Sequence, residues 1–112
     1  MFDLSTFDIA LFEANATKAA KLLRALGNER RLMILCQLTG GERSVGQLAP
    51  PVGLSQSALS QHLAVLREEG IVATRREAQT VWYRITDPAA VKVVATLAEI
   101  FCSEDMRKSH DR

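Results

Sequence analysis

Leu59, Leu63 and Leu66 recur at helical spacing between Ser55 and Gly70, while Gln56, Ser57, Ser60 and Gln61 fall on the opposite face. Ser55 is placed to accept from an orphan amide of the first turn, and Gly70 supplies the left-handed residue that closes the helix. The outward face is therefore polar, uncharged and short-armed, unlike the Lys- and Glu-rich face of most solvated helices. Upstream, Ser44 and Gln47 form a capping box that opens a short helix through Val45, Leu48 and Ala49, expected to stop near Pro50 and Pro51. The pattern predicts helix, turn, helix.

Downstream, Ile71 to Arg76 and Thr80 to Ile85 are β-prone runs around Glu77, Ala78 and Gln79, which predicts a hairpin with a three- or four-residue tip. Alternation puts Val81, Tyr83 and Ile85 toward the core, with Thr80, Trp82 and Arg84 on the other side. A first long helix is expected from about Phe7 to Leu26, capped by Ser5 or Thr6 and stopped by Gly27. Its apolar face (Phe12, Ala16, Ala19, Ala20, Leu23 and Leu26, widened by Ile9, Leu11 and Leu22) is broad enough to meet both its own core and a partner chain. Asn28 caps a second helix whose run Leu32 to Leu38 is apolar around most of its circumference and belongs at the centre of the domain; Thr39, Gly40 and Gly41 end it. Asp87 and Pro88 start a last helix running to about Cys102, with Val91, Val94, Ala95, Ala98, Phe101 and Cys102 on one face and Leu97 and Ile100 beside them.

The fold expected is mainly α with a small β-hairpin: a winged helix-turn-helix of about five helices and a two-stranded wing. Residues 1–102 would form the single domain, followed by a polar, disordered tail at 103–112. At 112 residues the chain buries only about two thirds of its unfolded surface, so a dimer interface would add what a monomer lacks. The formal net charge of +1 is a weak electrostatic signature for a nucleic-acid binder. Across the polar face and hairpin, Arg67, Arg75, Arg76 and Arg84 stand against Glu68, Glu69 and Glu77, so attraction to phosphates should be modest and placement should do the selecting. No apolar run approaches the roughly 20 residues that span a membrane, and no secretory signal opens the chain, so a cytoplasmic protein is expected.

Gln and Ser near a helix N-terminus match base edges and phosphate oxygens of a major groove, which makes double-stranded DNA the expected partner. The candidate contacts are Ser55, Gln56, Ser57, Ser60, Gln61 and His62 on the helix, with Arg75, Arg76 and Gln79 toward the hairpin tip. His62 lies on the flank of that helix, expected to be half covered by the wing or near a phosphate. No Gly-rich phosphate loop and no paired carboxylates accompany it, so no enzyme is expected and no cofactor is implied. Cys36 and Cys102 stand 66 residues apart, too few cysteines for a disulfide scaffold; two small apolar side chains filling a core and a reactive pair both remain open.

The run from Ser44 through Ile85, with SQSALSQHLAVLREEGIV followed by TRREAQTVWYRI, resembles the ArsR/SmtB family of bacterial transcriptional repressors. The resemblance implies a homodimer built on the first and last helices, its recognition helices entering successive major grooves of an inverted-repeat operator. Many such proteins sense metals, but their CxC motif is replaced by SVGQL at Ser44 to Leu48. The last helix offers Lys92 and Glu99 without histidine, and His62 and His110 are scattered, so no metal is expected. LMILC, SQSALSQHL, REAQTV and EIFC narrow the resemblance to the BigR/SqrR/HlyU group. That implies a dithiol switch in which reactive sulfur species or oxidants bridge Cys36 and Cys102 and release DNA. Arg30, Arg31 or Lys21 would supply the cationic field that lowers a thiol pKa. The alternative is a metal-independent regulator with structural cysteines, acting as activator or anti-silencer.

Overall fold

Side chains cap every helix start. In the computed structural model, which describes residues 8–102, the elements are α1 (Ile9–Leu26), α2 (Glu29–Leu38), β1 (Arg43–Ser44), α3 (Val45–Val52), α4 (Gln56–Glu68), β2 (Val72–Glu77), β3 (Thr80–Ile85) and α5 (Pro88–Phe101). Asn28 accepts from the amides of Arg30 and Arg31 at 3.0 and 3.1 Å, Ser55 from Ala58 at 3.2 Å, and Asp87 from Ala89 at 2.9 Å with Pro88 in the first turn. Ser44 and Gln47 form the reciprocal capping box. The first helix departs from expectation: Asp8, not Ser5 or Thr6, caps it by accepting from Leu11 at 3.0 Å, and α1 begins at Ile9. Ser5, Thr6, Phe7 and the tail at 103–112 lie outside the described residues.

α3 takes in both prolines and ends at Val52, one residue past Pro51 and so near the expected stop. Each proline removes one backbone donor. In compensation, Leu48 and Val52, one turn apart, are both buried; Arg30 Nη1 donates to the Val52 carbonyl at 2.6 Å; and Gly53 closes the helix at φ 75, its N–H donating to Ala49. A left-handed φ at that position suits glycine alone without strain.

The wing also differs from the two-stranded reading. β2 and β3 pair antiparallel from Val72↔Ile85 to Glu77↔Thr80, so the tip is only Ala78 and Gln79, with Ala78 at φ 56. β1 adds a third strand, Arg43 opposite Tyr83 and Ser44 opposite Trp82, giving the order β1-β3-β2. A two-residue strand leaves no alternation to read.

The core gathers Ile34, Leu35 and Leu38 of α2, Leu48 and Val52 of α3, Leu59, Leu63 and Leu66 of α4, Ile71 and Val72, and Ala90 and Val94 of α5. Tyr83 and Ile85 pack against it, as alternation predicted, whereas Trp82 on the outer side is half-buried and lies under Arg75. α1 buries Ala25 and Leu26 in this core and packs Leu22 against it, while Ile9, Leu11, Phe12 and Leu23 remain 50–62% exposed. Val91, Ile100 and Phe101 of α5 are exposed as well. Both flanking helices thus leave apolar rows that the other described residues do not cover.

Candidate functional site

The leucine stripe of α4 seats the helix by burying three side chains with no solvent exposure, each contributing roughly 1.5–3 kcal/mol. That seating leaves Ser55, Gln56, Ser57, Ser60 and Gln61 exposed along one side, near the N-terminus where amide dipoles favour phosphate. Beyond them Ser60, Ala64, Arg67 and Glu68 face Tyr83 of β3 across an open hollow of about 430 Å³. Helix and wing therefore form one continuous concave surface.

His62 is half-buried. It turns toward α2, where its Nδ1 lies 3.4 Å from Arg31 Nη1. Arg31 is itself held by the Ala25 carbonyl, to which its Nε donates at 2.6 Å. His62 thus sits at the edge of the exposed face and joins it to the α1–α2 corner.

Arg75 and Arg76, predicted as equivalent cations near the tip, separate in the fold. Arg75 is held by Glu42: Nε donates to both carboxylate oxygens at 2.9 Å and Nη2 approaches Oε1 at 2.9 Å, while Nη1 meets Glu77 at 3.3 Å. Its guanidinium also lies 5.6 Å from the centre of the Trp82 ring. These hydrogen bonds hold the Glu42 carboxyl below its usual range. Exposure of both partners keeps the pair's effect on stability small. Its geometric effect is to tie β2 to the segment before β1. Glu42 and Trp82 escaped the sequence reading because Glu42 and Arg75 are 33 residues apart and carry no local signal. Arg76 and Gln79 are exposed at the end of the hairpin.

The two cysteines come together. Cys36 of α2 and Cys102 at the end of α5 line one open groove of about 230 Å³ with Leu32, Val94, Leu97, Ala98 and Phe101. Neither fills a core: both residues are exposed and in the thiol form, because α2 buries Ile34, Leu35 and Leu38 on one side and turns Cys36 to the other. None of the three cations expected to act on the thiols, Arg30, Arg31 and Lys21, is among the described residues that line the groove. Arg30 is engaged at Val52, Arg31 at Ala25, and Lys21 lines hollows beside Glu69. The thiol of Cys36 is accordingly pushed up, not down, by burial first and by the proximity of Cys102 second. Among the described residues no group of three or more His, Cys, Asp or Glu side chains could hold a metal ion, and no helix is long and apolar enough to cross a membrane.

Comparison with known proteins gives the same outline. The profile described as bacterial regulatory protein, arsR family, matches residues 28–74, which run from the cap of α2 into β2. The chain is 51% identical over 90 residues to the transcriptional activator HlyU of Vibrio cholerae, covering 80% of this chain and 83% of that protein. Among solved structures, the transcriptional repressor BigR from Xylella fastidiosa superposes with a TM-score of 0.82 at 43% identity, covering 88% of this chain and all of that one. The homodimeric winged helix-turn-helix DNA-binding domain Mb0332 from Mycobacterium bovis superposes with a TM-score of 0.70 at 30% identity, covering 94% of each chain.

Proposed function

The chain belongs to the ArsR family of bacterial transcriptional regulators, and from that premise we propose that it is a homodimeric repressor whose DNA binding is switched off when Cys36 and Cys102 are bridged. The observation that carries the switch is the shared groove: two thiols 66 residues apart in sequence line the same hollow between α2 and α5. The exposed apolar rows of α1 and α5 support dimerisation through these helices, as does the homodimeric state of the Mycobacterium bovis relative. Two copies of α4 then read an inverted repeat with half-sites about one helical turn, roughly 10 base pairs, apart. Ser55, Gln56, Ser57, Ser60 and Gln61 make the groove contacts, His62 flanks them, and Arg76 and Gln79, with Arg75 braced behind them, meet the backbone or minor groove.

Bridging removes two protons and two electrons. A peroxide accepts them and leaves as water; a sulfane-sulfur donor can insert one sulfur between the cysteines while a second departs as hydrogen sulfide. The link pins the end of α5 to α2, and α2 shares its core with α3 and α4. A change in the α5 dimer surface is thereby transmitted to the spacing of the two reading helices. A hundredfold loss of affinity needs about 2.7 kcal/mol of difference between the two states.

Operator binding by the parent, Cys36→Ser and Cys102→Ser proteins, before and after treatment with an organic persulfide, tests the proposal. All three bind alike when reduced, and only the parent releases DNA. Equal release by the serine variants sinks the switch and leaves the reading surface standing. The similarity to an activator supports a second reading, in which the same binding displaces a repressor; a promoter reporter that falls on deletion of the protein would favour it.

A further inference from the structure

The outer side of the sheet carries an ion pair that reaches across all three strands. Glu42 immediately precedes β1, Arg75 lies on β2, and Trp82 stands between them on the central β3, opposite Arg75 in the ladder. The Glu42 carboxylate meets the Nε and Nη2 edge of the guanidinium at 2.9 Å, while the guanidinium lies 5.6 Å from the centre of the Trp82 ring. The Arg75 hydrogen bond, opposed by desolvation and reinforced by the charges of Arg75 and Arg84, holds the Glu42 carboxyl below its usual range, so the acid is ionised at neutral pH. With side chains 43% and 29% exposed, the pair contributes little to stability. Its larger effect is on charge. Glu42 and Glu77 balance Arg75 and Arg84 on this side; without Glu42, two cations face one carboxylate.

Arg75 is two residues from Glu77, the end of β2, about 7 Å along the strand. A phosphate held at the hairpin tip is then within the roughly 8 Å over which a charge acts at physiological salt. An unpaired guanidinium there attracts DNA of every sequence alike, because phosphates carry no sequence information. We propose that Glu42 is a specificity-determining residue: by holding and neutralising Arg75 it weakens binding to DNA in general and leaves selection to α4. The proposal rests on the DNA-binding reading above and adds a residue outside the reading surface. Trp82 helps to fix the pair, since its ring supports the guanidinium while the carboxylate occupies the guanidinium edge. The chain's net charge of only +1 gives the pairing weight. Where general attraction is small, one wing cation added or removed is a large part of it.

The test titrates the reduced full-length protein with two duplexes of equal length over a series of salt concentrations. One is the sequence the parent selects from a randomised pool, and the other is its scrambled counterpart. Glu42→Gln should bind the scrambled duplex about fivefold more tightly at roughly 0.15 M salt, with a salt dependence steeper by about one phosphate contact. The ratio of selected to scrambled affinity should fall by about threefold or more. In an Arg75→Gln background the same Glu42→Gln change should alter the ratio by less than about twofold, since no cation is released. An unchanged ratio in the single variant, or an equal fall in the Arg75→Gln background, overturns the role of Glu42 and leaves the DNA reading standing. A pool from which the parent selects no sequence overturns both.

Discussion

The reading helix and the thiol groove are built in opposite ways. α4 rests on Leu59, Leu63 and Leu66, fully buried, and presents a polar face to solvent. The groove between α2 and α5 presents an apolar lining to solvent and closes with Phe101 and Cys102 at a helix end, both exposed. A surface that must hold base-reading side chains in register gains from a tightly packed seat. A switch needs an element with a second arrangement within reach, and helix ends with few buried contacts are where such arrangements are found. The difference fits the proposal above, with recognition on the buried-leucine seat of α4 and regulation at the exposed end of α5.

The largest effect is expected at the seat. Leu63→Ala should lower stability by about 2–5 kcal/mol in urea unfolding at fixed protein concentration, and operator binding should fail with it; a loss near zero would mean that α4 is not seated as described. Next, Gln61→Ala leaves the seat untouched and should weaken operator binding by about 1–3 kcal/mol if the side chain reads a base edge, with selectivity relaxed at one position. Uniform weakening on all sequences would reassign Gln61 to the phosphates. Cys102→Ser should change stability by no more than about 0.5 kcal/mol, which separates the groove from the core; a core-sized loss would erase the contrast.

The smallest effect concerns protonation. Because burial and then Cys102 push the Cys36 thiol up, its alkylation rate should rise with pH through a midpoint above the ordinary thiol value of about 8.5. The sign follows from the thiolate being the nucleophile and the charged form being the one penalised. Cys102→Ser should bring the midpoint down only part of the way, since burial is the larger cause. A midpoint below that of a free thiol would mean that a cation reaches the groove after all.

Most of the reading half was legible because its signals are adjacent in sequence. Ser55, the leucine spacing and Gly70 together define α4, and Asn28 and Asp87–Pro88 announce two more helices. The prolines of α3 marked the region where that helix ends, but not that both lie inside it: their local cost is plain, whereas the burial of Val52 and the hydrogen bond from Arg30 that offset it are tertiary. Ala78 hid the short hairpin tip, since a left-handed alanine goes against its propensity. The exposure of Cys36 was illegible for a related reason: a helix with apolar side chains on every side carries no mark of which face the core will take. The pairing of Arg75 with Glu42, and of Arg31 with His62, joins residues more than 30 positions apart. The thiol groove likewise exists only once α5 folds back against α2, and residue types alone left the role of its cysteines open.

The most direct measurement is the operator affinity of the bridged protein itself. The form carrying the Cys36–Cys102 link, verified by mass, is titrated with labelled operator DNA beside the reduced form at one salt concentration. The account predicts binding about a hundredfold weaker for the bridged form, a difference of about 2.7 kcal/mol, restored in full by a reductant. Equal affinity of the two forms would contradict it.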